Sequence, residues 1–134
     1  MDTTVKYIKM CGKAREIQLY RTVEKRCEAG DFAYNDDEGI IEVQETGVML
    51  LAEDVWLPRQ DQLQEMVAET SGFDGKRMIG LELCNLWAWY QQNRPGDIGV
   101  EIELWPSWEQ LWLKLVMKIK YDKLWDDKKE KWIK

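Results

Sequence analysis

Histidine is missing from this sequence of 134 residues. Histidine is the commonest general base at neutral pH and a frequent zinc ligand, so its absence excludes Ser-His-Asp and Cys-His catalytic groups and HExxH metal sites. The sequence also lacks a GxxxxGK[ST] phosphate loop, a GxGxxG turn and a GxSxG nucleophile turn. An enzyme would have to rely on carboxylates alone, and we therefore expect the protein not to be an enzyme.

Cysteine is scarce as well, with three residues in the chain. Cys11, Cys27 and Cys84 are widely spaced, form no CxxC pair and cannot all pair within one chain. We interpret them as free thiols that act as small apolar side chains. With neither histidine nor a cysteine motif, the sequence predicts no metal site and no cofactor.

Long apolar runs are also absent. No stretch approaches the roughly 20 residues that span a bilayer, and residues 1–6 lack the features of a secretory signal. We therefore expect a cytoplasmic protein that does not bind membranes. The length is typical of one domain, and no linker or internal repeat interrupts it, which predicts a single globular domain over residues 1–134.

Charge is unevenly distributed along the chain. The net charge is −6, but residues 114–134 contain eight lysines and four acidic residues, so this part carries +4 and the remainder −10. A charged tail from about residue 122 contains Trp125 and Trp132, a mixture that can bind single-stranded nucleic acid. Its interspersed acidic residues favour a packed or frayed terminus instead, and the net acidity makes a nucleic-acid partner unfavourable.

Apolar periodicity predicts an α+β fold, with three or four helices packed on a small, mainly antiparallel sheet. The predicted helices cover residues 3–28, 58–70, 76–92 and 107–121. The predicted strands cover residues 31–34, 40–44, 48–51 and 98–104, and the first three of them form a meander with tight turns.

Helix-boundary residues support these assignments. Thr3 or Thr4 is suited to cap the first helix, Gly30 to end it, and Pro58 to occupy the first position of the second. Ser107 begins a capping-box pattern in the last helix. One apolar stripe on that helix is predicted to be buried: Trp108, Leu111, Trp112, Leu115, Val116 and Ile119.

Several segments resemble an uncharacterised family of small proteins encoded by bacteriophages and prophages. The strongest is Trp-Leu-Pro-Arg-Gln-Asp-Gln-Leu-Gln-Glu-Met, from Trp56 to Met66, and the second runs from Ser107 to Met117. Tyr7-Ile8-Lys9-Met10-Cys11 and Gly30-Asp31-Phe32-Ala33-Tyr34 add to the resemblance. It implies a phage or prophage origin and a bacterial cytoplasm, and it assigns no activity and no functional residues.

A cluster of polar residues at the start of the Pro58 helix is the best candidate binding surface. A helix N-terminus attracts acceptors and anions, an arginine adds a planar donor fork, and tryptophan is a common interface anchor. Two tryptophans that fit the core pattern poorly join the set. The candidate residues are Trp56, Arg59, Gln60, Asp61, Gln64, Trp89 and Trp105. In the competing interpretation, an internal carboxylate binds Arg59 and the tryptophans belong to the core.

Three functions are compatible with these features. The sequence favours a non-enzymatic phage- or prophage-encoded accessory protein that binds a host or phage protein. The alternative is a small-ligand-binding or sequestering protein with a Trp/Arg pocket, and the third is an enzyme that uses only carboxylates. Homo-oligomer formation is compatible with each of them.

Because the sequence contains no recognisable set of metal ligands, we expect protein purified without a chelator to contain no stoichiometric transition metal. Elemental analysis by mass spectrometry measures this directly. A content of one zinc ion per chain would contradict the prediction.

Overall fold

The computed structural model describes residues 1–21, 27–71 and 107–134, together with residues 84, 85 and 88. The helices are α1 (Val5–Lys13), α2 (Arg15–Leu19), α3 (Gln60–Ser71) and α4 (Trp108–Tyr121). The strands are β1 (Phe32–Asn35), β2 (Gly39–Glu42), β3 (Val55–Leu57), β4 (Leu124–Asp126) and β5 (Lys131–Ile133). These helices and two small antiparallel sheets confirm the predicted α+β class.

The first predicted helix is divided in two. Ala14, between α1 and α2, has φ −85° and ψ 71°, outside the helical region. Gln18 explains the break, because its Nε2 donates to the carbonyl oxygens of Cys11 and Trp56, each at 3.0 Å, and its Oε1 accepts from the Trp56 N–H at 2.8 Å. One side chain thus binds a carbonyl near the end of α1 and the backbone of β3, a contact that local periodicity cannot reveal.

The two ends of that predicted helix also differ from each other. Thr4 caps α1 as predicted, since its Oγ1 accepts from the Tyr7 N–H at 3.2 Å. Cys27 and Glu28, however, are not helical, and Gly30 lies in a turn with φ +87°. Gly30 and Val43 share a backbone hydrogen bond of 2.8 Å, so the glycine leads into the sheet and does not end a helix.

β1 lies at the centre of the three-stranded sheet, whose order is β2-β1-β3. The turn before Gly39 is present as predicted, and Gly39 has the positive φ of 77° that favours glycine. The prediction of a third strand at 48–51 is wrong, because β3 begins at Val55 and pairs with β1, so there is no meander. Burial accounts for the difference: Trp56 and Leu57 are buried, whereas Met49 and Leu51 are largely exposed.

α3 begins two residues after Pro58 and packs against α4. The Arg59 carbonyl accepts the first intrahelical bond, from the Leu63 N–H at 3.1 Å, while the Gln62 side chain accepts from the Arg59 N–H at 2.9 Å. Pro58 therefore precedes the helix instead of opening it. The reason is this Gln62 bond, which requires a backbone N–H that proline lacks.

α4 is the most extensively buried helix of the described residues. Ser107 caps it as predicted, with its Oγ accepting from the Gln110 N–H at 3.1 Å. The predicted apolar stripe is buried from Leu111 to Val116, whereas Ile119 is half-buried and Trp108 is 55% exposed. The first turn of α4 also contacts a polar group, because the Asp2 carboxylate accepts from the Ser107 hydroxyl and the Gln110 side chain.

Asp2 connects the N-terminal segment to α4. Burial alone would raise the pKa of Asp2, but hydrogen bonds from Ser107, Thr4 and Gln110 lower it below its ordinary value. The Gln110 Nε2 lies 2.7 Å from the Asp2 carboxylate. The ionised form of Asp2 is therefore the one that stabilises the start of α4.

The charged tail is packed as a β4–β5 hairpin on α1. Trp125 and Trp132 form an edge-to-face pair with ring centroids 5.1 Å apart, and the Trp132 Nε1 donates to the Met10 carbonyl at 3.0 Å. Lys9 contributes an ion pair of 3.0 Å to Glu130. Of the alternatives left open by the sequence, the packed terminus is the one observed.

Two predicted elements, the helix over 76–92 and the strand over 98–104, lie outside the described residues. The exceptions are Cys84, Asn85 and Ala88, which are helical. In the part of the chain that the structure describes, no helix has both the length and the apolar character needed to cross a membrane.

Two substitutions in α4, one at a buried position and one at its exposed first residue, should differ in their effect on the free energy of unfolding. Leu115 is completely buried, so we expect Leu115→Ala to lower the free energy of unfolding by about 2–5 kcal/mol. Trp108→Ala should lower it by less than Leu115→Ala does, because Trp108 is 55% exposed. Urea denaturation measures both, and equal losses would contradict the burial pattern described here.

Candidate functional site

A buried carboxylate lies beside the predicted site. Asp31 is completely buried, and its Oδ2 accepts from the Arg21 Nε at 3.1 Å, from the Arg21 Nη2 and from the Glu28 N–H at 2.8 Å. Its Oδ1 accepts from the Arg59 Nη1 at 3.3 Å and from the Gln62 Nε2. Each oxygen therefore has at least two donors, which compensates for the cost of burying the charge.

Trp56 forms one wall of this buried ion pair. The guanidinium carbon of Arg21 lies 4.9 Å from the centroid of the Trp56 ring, in cation–π geometry, and both side chains are buried. The Trp56 Nε1 has no hydrogen-bond partner among the described residues. Trp56 is therefore an internal packing residue and does not present an aromatic anchor at the surface.

Arg59 uses its donor fork within the protein. Its Nη1 donates to the Gly30 carbonyl at 2.6 Å, and its Nε and Nη2 donate to the Asp61 carboxylate at 3.1 and 3.3 Å. Burial would lower the pKa of Arg59, but hydrogen bonds and charge from Asp61 and from Asp31 raise it above its ordinary value. These contacts are the ones that the competing structural interpretation requires.

The other predicted binding residues are less closely associated. Asp61 is exposed, and Gln60 and Gln64 are half-buried on the first turns of α3. Trp89 and Trp105 lie outside the described residues. The structure therefore joins Arg59 to both Asp31 and Asp61, and it packs Trp56 against Arg21, the other arginine that binds Asp31.

The described residues provide no activated nucleophile at this cluster. Cys27 is buried nearby, and burial together with the charge of Asp31 raises the pKa of its thiol, so the reactive thiolate is disfavoured. Burial likewise raises the pKa of Cys11. Within residues 1–21, 27–71 and 107–134, no group of three cysteine, aspartate or glutamate side chains could hold a metal ion.

Sequence reasoning missed a surface groove beside β2. We call it the apolar groove; its volume is about 430 Å³. The lining residues are Ile41, Val43, Gln44, Glu45, Val48, Met49, Leu50, Leu51 and Asp54. Met49 and Leu51 are 66% and 61% exposed, although both are large apolar side chains.

Hydrogen bonds hold the loop that carries these exposed side chains. The carbonyl of Val48 accepts from the Cys27 N–H at 3.2 Å, and the carbonyl of Cys27 accepts from the Gly47 N–H at 2.8 Å. Asp54 accepts from the Leu51 N–H at 2.9 Å and from the Asn35 side chain at 2.7 Å. The apolar side chains are thus presented by a loop that is anchored at both ends.

The sequence contained one signal for this surface. Val48 to Leu51 is a run of four apolar residues between polar turns, a pattern that is also typical of a short buried strand. Apolar character alone does not tell a buried strand from an exposed apolar loop. Only the pairing of β3 with β1 leaves the run outside the sheet.

Comparison with protein-family models, with curated proteins and with solved structures finds no match to this chain. The proposed function therefore depends on the geometry of the two regions above.

The ion cluster around Asp31 should be essential for stability. We expect Asp31→Ala to lower the free energy of unfolding by about 3–5 kcal/mol, because it leaves Arg21 buried without its counter-charge. Asp61→Ala is the matched control, since it removes an exposed carboxylate from the same Arg59 and should cost less than about 1 kcal/mol. Guanidinium denaturation of both variants checks the prediction. A small loss for Asp31→Ala would show that the cluster contributes little.

Proposed function

We propose that this protein is a non-enzymatic, phage- or prophage-encoded accessory protein that binds a host or phage protein through the apolar groove. The observation that carries the proposal is the exposure of Met49 and Leu51 beside this groove. Single exposed apolar side chains are ordinary, whereas apolar side chains that are exposed next to one another beside a groove mark surfaces that bind other proteins.

The anchored loop strengthens this proposal. Binding costs free energy when loops and side chains have to be ordered, and a surface already held in place has less of this cost. The Cys27 N–H donates to the Val48 carbonyl and the Leu51 N–H donates to the Asp54 carboxylate, so the backbone is held on both sides of Met49. Methionine is suited to this role, because its flexible thioether adapts to different apolar partners.

A protein partner fits the groove better than a small ligand does. Small-molecule sites enclose most of the ligand and direct several polar groups at it, whereas here Met49 and Leu51 face solvent. Trp56 and Arg59, on which the ligand-binding hypothesis depends, lie in the network around Asp31 and not along the groove. The carboxylate-only enzyme is the weaker alternative, because Asp54, one of the two carboxylates that line the groove, accepts the bonds from Leu51 and Asn35 that hold the loop.

We also propose a phage or prophage origin and a location in the bacterial cytoplasm. The support for both is the sequence resemblance in Trp56–Met66 and Ser107–Met117. Buried free thiols at Cys11 and Cys27 are compatible with a reducing compartment.

A single change in the groove should weaken partner binding without unfolding the protein. We expect Met49→Asp to lower capture of the partner roughly tenfold or more, as the loss of an interface hot spot does. Val5→Asp is the control, because Val5 is equally exposed but lies on α1. Affinity capture from a bacterial lysate with quantitative mass spectrometry compares the parent and both variants. Identical capture by the parent and the Met49 variant would exclude the groove.

A further inference from the structure

The stretch of chain that forms the apolar groove carries charged side chains of one sign. Residues 27–58 contain no lysine or arginine, although the whole chain has 19 of them. The same stretch contains nine acidic residues: Glu28, Asp31, Asp36, Asp37, Glu38, Glu42, Glu45, Glu53 and Asp54. The charge that β1, β2, β3 and the loops between them contribute to this surface is therefore negative.

The buried and exposed members of this set have different roles. Asp31 is neutralised internally by Arg21 and Arg59. Glu42, Glu45 and Glu53 are exposed, and no ion pair within the described ranges includes them. The negative charge near the groove is therefore available to an external partner.

β2 adds backbone hydrogen-bonding groups at the edge of the sheet to the same surface. Among the described strands it lies at the end of the sheet order, with β1 on one side. In an antiparallel pair, alternate residues direct their N–H and C=O groups away from the neighbouring strand. On β2 the Glu42 carbonyl already accepts from the Gln44 side chain at 3.1 Å, and the other outward groups can pair with an added strand. Ile41 connects the two features, because it belongs to β2 and also lines the groove.

We infer that the groove binds an extended segment of another protein whose apolar side chains alternate with lysine or arginine. The apolar side chains would occupy the groove, and the cationic ones would approach Glu45, which lines it, and Glu42, the neighbour of Ile41 on β2. This inference depends on the proposed function and specifies the chemistry of its partner.

A second copy of this chain fits the same surface poorly. In a two-fold contact the same patch meets itself, so the acidic rims of both copies would face each other. Like charges directly opposed across strands are destabilising. Charge complementarity therefore favours a cationic partner over self-association through β2.

A pair of synthetic peptides tests the inference directly. One is an eight-residue peptide that alternates lysine and valine, and its matched control replaces every lysine with glutamate. NMR titration of the ¹⁵N-labelled full chain at low salt should show shifts centred on residues 40–51 with the lysine peptide. Its affinity should exceed that of the glutamate peptide by roughly tenfold or more and fall as salt is added. Equal affinities, or no shifts in residues 40–51 at millimolar peptide, would overturn the inference.

Charge reversal at the rim provides the second measurement. Glu45→Lys should weaken binding of the lysine peptide roughly fivefold, whereas Glu65→Lys, the same exposed charge change on α3, should have little effect. If Met49→Asp abolishes capture of the natural partner while Glu45→Lys and salt leave it unchanged, the proposed function stands and this inference fails. If Met49→Asp leaves capture unchanged, the proposed function itself fails. Concentration-dependent dimerisation that Met49→Asp abolishes, measured by ultracentrifugation, would assign the groove to a second copy and overturn the inference.

Discussion

The buried carboxylate of Asp31 is the interaction on which the described structure most depends. Its hydrogen-bond donors are Arg21, two positions after the end of α2, and Glu28, in the segment before β1. The other two donors, Arg59 and Gln62, belong to the start of α3. A buried charge is tolerated only when nearly all of its hydrogen-bonding capacity is used, so these segments must meet in one arrangement. The cluster thereby connects the central strand to the helices on both sides of it in the sequence.

The position of β3 follows from the same cluster. Trp56 packs against Arg21, and its backbone is bound on the outer side by Gln18. These contacts place the apolar residues of β3 in the interior and leave the run from Val48 to Leu51 at the surface. The acidic residues around β2 have no lysine or arginine in their own stretch, and Arg21 and Arg59, which lie on either side of that stretch, bind Asp31. The exposure of the apolar run beside the groove is thus a consequence of how the interior is assembled.

Local patterns predicted several elements correctly, because the interactions that form these elements join residues only a few positions apart. Ser107 caps α4 because its hydroxyl reaches an N–H three residues away, and Gly39 ends a turn because the required φ is positive. The third strand was predicted in the wrong place because two short apolar runs, at 48–51 and at 55–57, have nearly the same pattern. Local sequence has the same limit at the candidate site. An arginine at a helix start looks the same in the sequence whether it binds a ligand or an internal carboxylate.

By itself, the sequence determined the α+β class, the cap and apolar face of α4, the turn before β2 and the accumulation of acidic residues in 27–58. Each depends on interactions between near neighbours or on composition. Only the tertiary structure decided that Arg59 binds Asp31 across 28 positions, that Gln18 binds Trp56 across 38, and that Met49 and Leu51 remain exposed. The physical reason is that donors and acceptors of equal local suitability compete throughout the chain. Folding selects the pairs that can be buried together with every charge satisfied.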